Sequence, residues 1–234
     1  DDWKAGPWKT VKADHFIVFY KEGESFAREV ARKADGYYSQ IASDLGYERY
    51  SNFWMWDNRV KIYLFPTEEE FKQPPGTREW SSGMASYAKK EIYSYGGQTE
   101  FTESVLPHEI THLVFRDFVG TSKSIPLWLD EGVAQWEEPA KRALAKKYAK
   151  SLIATNTAYP VSELFKMRTR RLARHKDAQK FYMQSISLVD FLIQSYGGRA
   201  FTDFCRQLRD GRSVDEALRK SYPNGLQNMA ELDA

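Results

Sequence analysis

His108 and His112 stand four residues apart with Glu109 between them, inside the otherwise apolar segment LPHEITHLVF at 106–115. A helix that buries a face normally fills it with Leu, Val or Phe, because a desolvated polar or charged group is costly unless something pairs with it. Four residues of helix make one turn plus about 40°, so both imidazoles project from one face and can share a cation. Glu109, one step round, falls beside such a cation and not on it, placed to take a proton from a metal-activated water. Neutral imidazole and carboxylate are common zinc ligands, and zinc brings the pKa of water to about 7, where it becomes a usable nucleophile. The H-E-x-x-H pattern carries this mechanism. Its bland counterpart is a helix whose histidines only hydrogen-bond.

A third ligand distinguishes the two. In PLWLDEGVAQW (126–136), Glu131 follows His112 by nineteen residues, near the start of an apolar helix opened by Pro126. That interval accommodates the end of one helix, a turn at Gly120, and a second helix that returns a carboxylate to the same point.

The elements that must position these groups follow from pattern and punctuation. HFIVFY (15–20) and RVKIYLF (59–65) read as strands, and residues 24–45 as a helix closed by Gly46. Pro66 and QPPGT (73–77) mark a loop, after which MASYAKKEIYSY (84–95) reads as two short strands or a hairpin ended by Gly96-Gly97. Helices are predicted at 101–117, 126–137, 139–153, 178–196, 198–209 and 213–221, with turns at 120–126, 158–160, 196–198 and 210–211. Strands first and helices after predict an α+β fold, a small, mainly antiparallel sheet packed on a helical bundle. The expected organisation is a single domain over 1–234, strand-rich to about 98 and helical from about 99.

The two segments together resemble the gluzincin metallopeptidases, the superfamily that includes thermolysin and aminopeptidase N. W-L-D-E-G-V-A (128–134) and its spacing from the histidines are most similar to the aminopeptidase N branch and to small single-domain bacterial peptidases. The resemblance implies a gluzincin architecture, one zinc ion per chain held by His108, His112 and Glu131, Glu109 as general base, and a peptide or protein substrate. KFYMQSISLVDFLIQSYGG (180–198) resembles the aminopeptidase helix that begins near a tyrosine, which implies that the Tyr182 hydroxyl stabilises the oxyanion formed when water attacks a carbonyl. His175 is the rival donor.

The likeness spans roughly 80–200 and breaks at one place. Aminopeptidases of this type carry G-x-M-E-N, whose glutamate anchors the substrate's amino terminus; here the residues are SGMASY (82–87), with no acid. An endopeptidase is therefore expected over an aminopeptidase. What remains is an edge strand whose backbone at Gly83, Met84 and Ala85 can pair with an extended peptide; alternatively these small residues pack against a helix. Gln135 and Glu138 are candidates to hold the histidines from behind, and otherwise surface residues. His15 reads as structural, and the aromatics of NFWMWDN (52–58) as core or a capping loop, or, where a Trp is exposed, as a lining of a substrate cleft. The same residues would serve hydrolysis of a non-peptide amide or ester, or a zinc-containing peptide or cell-envelope binding module without turnover.

Composition narrows the partners. The 32 acidic and 34 basic residues nearly cancel and no run of eighteen apolar residues occurs, so neither a membrane span nor a nucleic-acid partner is expected. The basic stretches at 141–150 and 166–176 read as solvated faces, or as a preference for acidic substrates. Cys205 stands alone and says nothing about compartment. DDWKAGPW lacks an initiator Met and a signal-type segment, which suggests a processed chain, an exported, periplasmic or extracellular protein whose signal has been removed, with a cytoplasmic location as the alternative.

Overall fold

Every second residue of FIVFY points the same way, and Phe16, Val18 and Tyr20 are buried while Ile17 and Phe19 are half-buried on the other side. A strand apolar on both faces must be covered on both, and this requirement organises the first of two units. The computed structural model describes residues 6–46, 54–73, 83–97, 100–119, 125–168 and 175–233; one unit comprises 1–43 with 47–114, the other 44–46 with 115–234.

The first unit holds a five-stranded sheet in the order β1-β2-β3-β5-β4, with β1 Lys9–Lys12, β2 Phe16–Tyr20, β3 Val60–Phe65, β4 Gly83–Ser86 and β5 Glu91–Tyr95. One face carries Phe16, whose ring meets those of Tyr38 and Trp54 edge-on at 6.4 and 5.6 Å. Tyr38 belongs to α1 (Glu24–Asp44), which buries Ala27, Val30, Ala31, Ala34, Tyr38, Ile41 and Ala42 at the three- and four-residue intervals of a helical stripe. The other face carries Tyr63, Phe65, Tyr93 and, from the short helix α2 (Glu68–Phe71), Phe71. Trp54 is thus core, as expected, while residues 51–53 lie outside the described residues.

The expectation of a mainly antiparallel sheet is corrected. The outer pairings, β1/β2 and β4/β5, are antiparallel, but the central ones, β2/β3 and β3/β5, are parallel. Parallel neighbours need a crossover to bring the chain back to the same end. The 21-residue α1 supplies it between β2 and β3, and the excursion through α2 and β4 supplies it between β3 and β5. The two antiparallel pairs turn back directly, β1 to β2 through residues 13–15 and β4 to β5 through a tight turn closing at Lys90, φ +52°.

Five short elements among the described residues were not expected from the sequence: β1, a 3-10 turn at Trp56–Asn58, α2, α6 (Val161–Leu164) and α10 (Met229–Asp233). β1 shows why, since KTVK leaves only Val11 half-buried and so lacks the alternation that marks a strand. The proposed loop at 73–77 and turn at 120–126 fall largely outside the described residues.

The second unit is helical: the end of α3 (Leu106–Val119), α4 (Leu127–Trp136), α5 (Pro139–Ala154), α6, α7 (His175–Tyr196), α8 (Gly198–Arg209), α9 (Val214–Ser221) and α10. α7 is its hub, packed by α4, α5 and α8. The approach of α4 to α7 is close enough to dictate a residue. A methyl group on Gly132 would come within 2.9 Å of the Ser185 carbonyl oxygen and 3.0 Å of Val189. Gly132→Ala should therefore push the two helices apart, at a cost of about 1–3 kcal/mol, read as a lowered melting temperature. An unchanged midpoint would show that the contact yields freely.

Among the described residues no helix is long and apolar enough to cross a membrane.

Candidate metal centre

α3 begins unusually. Residues Phe101–Val105 form a π-helical turn, and the Leu106 N–H donates to the Phe101 carbonyl five residues back. Pro107 accounts for it: within a regular α-helix its ring would crowd the carbonyl four residues earlier, that of Glu103, and it has no N–H to donate. The wider turn relieves that conflict and delivers the chain to His108 in regular helix. Buried Thr111 donates back to the Pro107 carbonyl at 2.7 Å, tying the helix together between the two histidines.

The histidine rings converge as the four-residue spacing requires. His108 Nε2 and His112 Nε2 are 3.1 Å apart, with ring centroids at 4.6 Å and planes at 82°. Two nitrogens bound to one zinc at ~2.05 Å in tetrahedral geometry stand ~3.3 Å apart, so this arrangement fits the metal. His112 is buried at 4% exposure and packs edge-on against Tyr87; His108 is half-buried. One ring is thus enclosed and the other partly accessible. Glu109, next on the helix, is also half-buried.

Glu131 stands out on α4 by accessibility. Of residues 128–138 it alone is not fully buried; Trp128, Leu129, Val133 and Ala134 around it are at 0%. Burial of the apolar faces and the seat of Gly132 on α7 set this helix, and the carboxylate is what it leaves accessible. His108, His112 and Glu131 form a group able to hold a metal ion: each offers one ligand atom, and these atoms lie within 4.8 Å of one another. The donor set, two imidazoles and a carboxylate, is one that zinc accepts.

The remaining predicted residues have mixed outcomes. Tyr182 sits half-buried on α7 with its ring edge-on to Phe181. His175 opens α7, and the basic stretch before it lies mostly outside the described residues, at 169–174. β4 is an edge strand, but Gly83 has a packing reason of its own: a methyl there would stand 2.6 Å from Val105 of the π turn. Gln135 and Glu138 are buried, at 7% and 3%, not on the surface; Glu138 pairs with Lys141 at 2.8 Å. His15 is structural, its Nδ1 3.2 Å from Asp35 and its ring stacked on Tyr38. On α5, Lys141, Arg142 and Lys146 are engaged by Glu138, the Trp136 ring and Asp190, which supports a structural origin for that charge run.

Two features escaped the sequence reading. One is the ion pair of Arg116 with Asp130, whose members are fourteen residues apart and lie on different helices. The other is Glu137, at the end of α4, 6% exposed, with an Oε1 that has no hydrogen-bond partner among the described residues. Burial pushes its carboxyl up to about 8, with the Asp44 carboxylate adding to the shift and the Arg142 guanidinium opposing it. The folded value exceeds the ordinary 4.5, so the unfolded chain gives up the proton first. The neutral carboxyl therefore contributes its full stability below about pH 4.5, and loses it progressively as pH rises to about 8. Glu137→Gln, permanently neutral, should flatten that decline by on the order of 3–5 kcal/mol, read from denaturant melts at about pH 5 and about pH 9. Parallel profiles for the two proteins would contradict it.

No curated protein matches the sequence. A family model does, over residues 55–232, from the turn before β3 through the H-E-x-x-H helix, α4 and α7 into α10. That match spans about three-quarters of the chain and includes His108, Glu109, His112, Glu131 and Tyr182, and by it the chain belongs to the Peptidase MA superfamily.

Proposed function

We propose that the protein is a zinc-dependent peptidase of gluzincin type, an endopeptidase in preference to an aminopeptidase. The observation that supports this reading is the pair of imidazole nitrogens 3.1 Å apart on one face of α3, which with Glu131 form a group able to hold a metal ion. Family membership supports hydrolysis of peptide bonds.

His108, His112 and Glu131 would hold the ion, which when bound supplies polarisation of the scissile carbonyl and a water acidic enough to react near neutral pH. Glu109, one residue from the first ligand, accepts a proton from water as its oxygen adds to the carbonyl carbon. The same carboxyl then passes that proton to the nitrogen as the C–N bond breaks, so acid and base are one group at two stages. Tyr182 donates a hydrogen bond to the oxygen on which charge develops. The backbone of Met84 and Ala85 on edge strand β4 pairs with the extended substrate.

The test combines metal content with substrate profiling. Purified protein reconstituted with zinc should hold about one ion per chain and cleave internal bonds in denatured casein and in an amino-terminally blocked peptide library. Cleavage only of unblocked peptides would establish an exopeptidase. Zinc retained without turnover of any peptide would establish a binding module, and hydrolysis confined to non-peptide amides or esters would change the substrate class.

A further inference from the structure

We infer that Arg116 is a positioning residue for the metal centre, acting through its ion pair with Asp130. This rests on the reading of His108, His112 and Glu131 as a zinc site.

Arg116 follows His112 by one turn of α3, on the same stripe of the helix. Asp130 immediately precedes Glu131 on α4. Arg116 Nη2 donates to Asp130 Oδ2 at 2.5 Å, and the Asp130 side chain is only 7% exposed. Its neighbours Trp128, Leu129 and Val133 are fully buried, so apolar packing would have been met more simply by Leu or Ala at position 130. A charge at this depth is retained only when paired, and one of the groups that pair with it, Arg116, stands one turn beyond His112.

The pair joins the helix of the imidazoles to the helix of the carboxylate at points next to each ligand. Consecutive residues leave an α-helix about 100° apart, so fixing the direction of Asp130 also fixes the direction in which Glu131 leaves α4. Apolar packing and the seat of Gly132 on α7 set the rotation of α4 from one side. A short charge-assisted hydrogen bond restrains it narrowly. Arg116 and Asp130 thus hold Glu131 in register for the cation before the cation arrives, which lowers the reorganisation needed to bind it.

The test measures zinc affinity of the folded full-length chain by competition with a chromophoric chelator, together with the visible spectrum of the cobalt-substituted protein. Arg116→Met and Asp130→Asn should each weaken zinc binding by about 10- to 100-fold and alter the cobalt bands. The double variant should be no weaker than either single one, because both remove the same restraint. Arg116→Lys, which keeps the charge, should recover part of the loss. Should Arg116→Met fail to fold, Arg116→Lys and Asp130→Asn carry the measurement. A lowered melting temperature with wild-type zinc affinity and wild-type cobalt spectrum would make the pair merely structural and overturn the inference while leaving the zinc site intact. Absence of zinc binding by the wild-type chain would overturn both.

Discussion

Glu109→Gln is expected to lower kcat on peptide substrates by about 10²- to 10⁴-fold, the range over which a positioned general base contributes. Gln keeps the length and planarity of the side chain and leaves His108 and His112 unchanged, so zinc content should remain at that of the wild type. Position 109 is half-buried on α3 and belongs to no apolar cluster, so the melting temperature should move little. The combination separates chemistry from folding: a variant that is folded and metal-loaded but nearly inactive assigns the proton transfers to this carboxyl. Full activity with zinc bound would remove Glu109 from the mechanism, and the base would have to be sought elsewhere. KM should change less than kcat, because the carboxyl acts on a proton in flight and not on the ground-state peptide.

His108→Ala should abolish zinc retention and, with it, activity. A structural zinc closes its coordination with protein groups, whereas a catalytic one has three protein ligands, so losing one leaves two, His112 and Glu131. The effect can be read without substrate. A ligand that binds only the folded chain raises its stability by about 2.7 kcal/mol at a concentration of 100 Kd. Wild-type protein should therefore melt higher when zinc is added, and His108→Ala should not. His108 is half-buried, so in the absence of metal the two proteins should melt at similar temperatures. An equal zinc-induced rise in both would place the ion somewhere other than between these rings.

Local periodicity and punctuation made most of the fold legible. α1 was expected at 24–45 and spans Glu24–Asp44, and α8, expected at 198–209, spans those residues. Both are long enough for their apolar stripe to repeat, and both are bounded by glycine. Short elements were not legible. KTVK forms β1 because β2 offers it a partner, and its own residues carry no alternation. The sheet was expected to be mainly antiparallel from the order of the elements, strands before helices, while the parallel pairing of β3 with β2 and β5 depends on where a crossover lands.

The chemistry of the site was set by the sequence alone: residue type and a four-residue interval are local quantities, and helix geometry converts them directly into two imidazoles on one face. Glu131 could be proposed from its distance along the chain, since nineteen residues leave room for a turn. The tertiary structure alone decided what holds that glutamate in place. Gly132 pressed against Ser185, and Arg116 paired with Asp130, join residues fifty-three and fourteen positions apart. It also decided that Glu137 would be buried with an oxygen that has no hydrogen-bond partner among the described residues. These depend on which helices come together, and no interval along a single element encodes that, because the free energy that selects the packing belongs to the whole core.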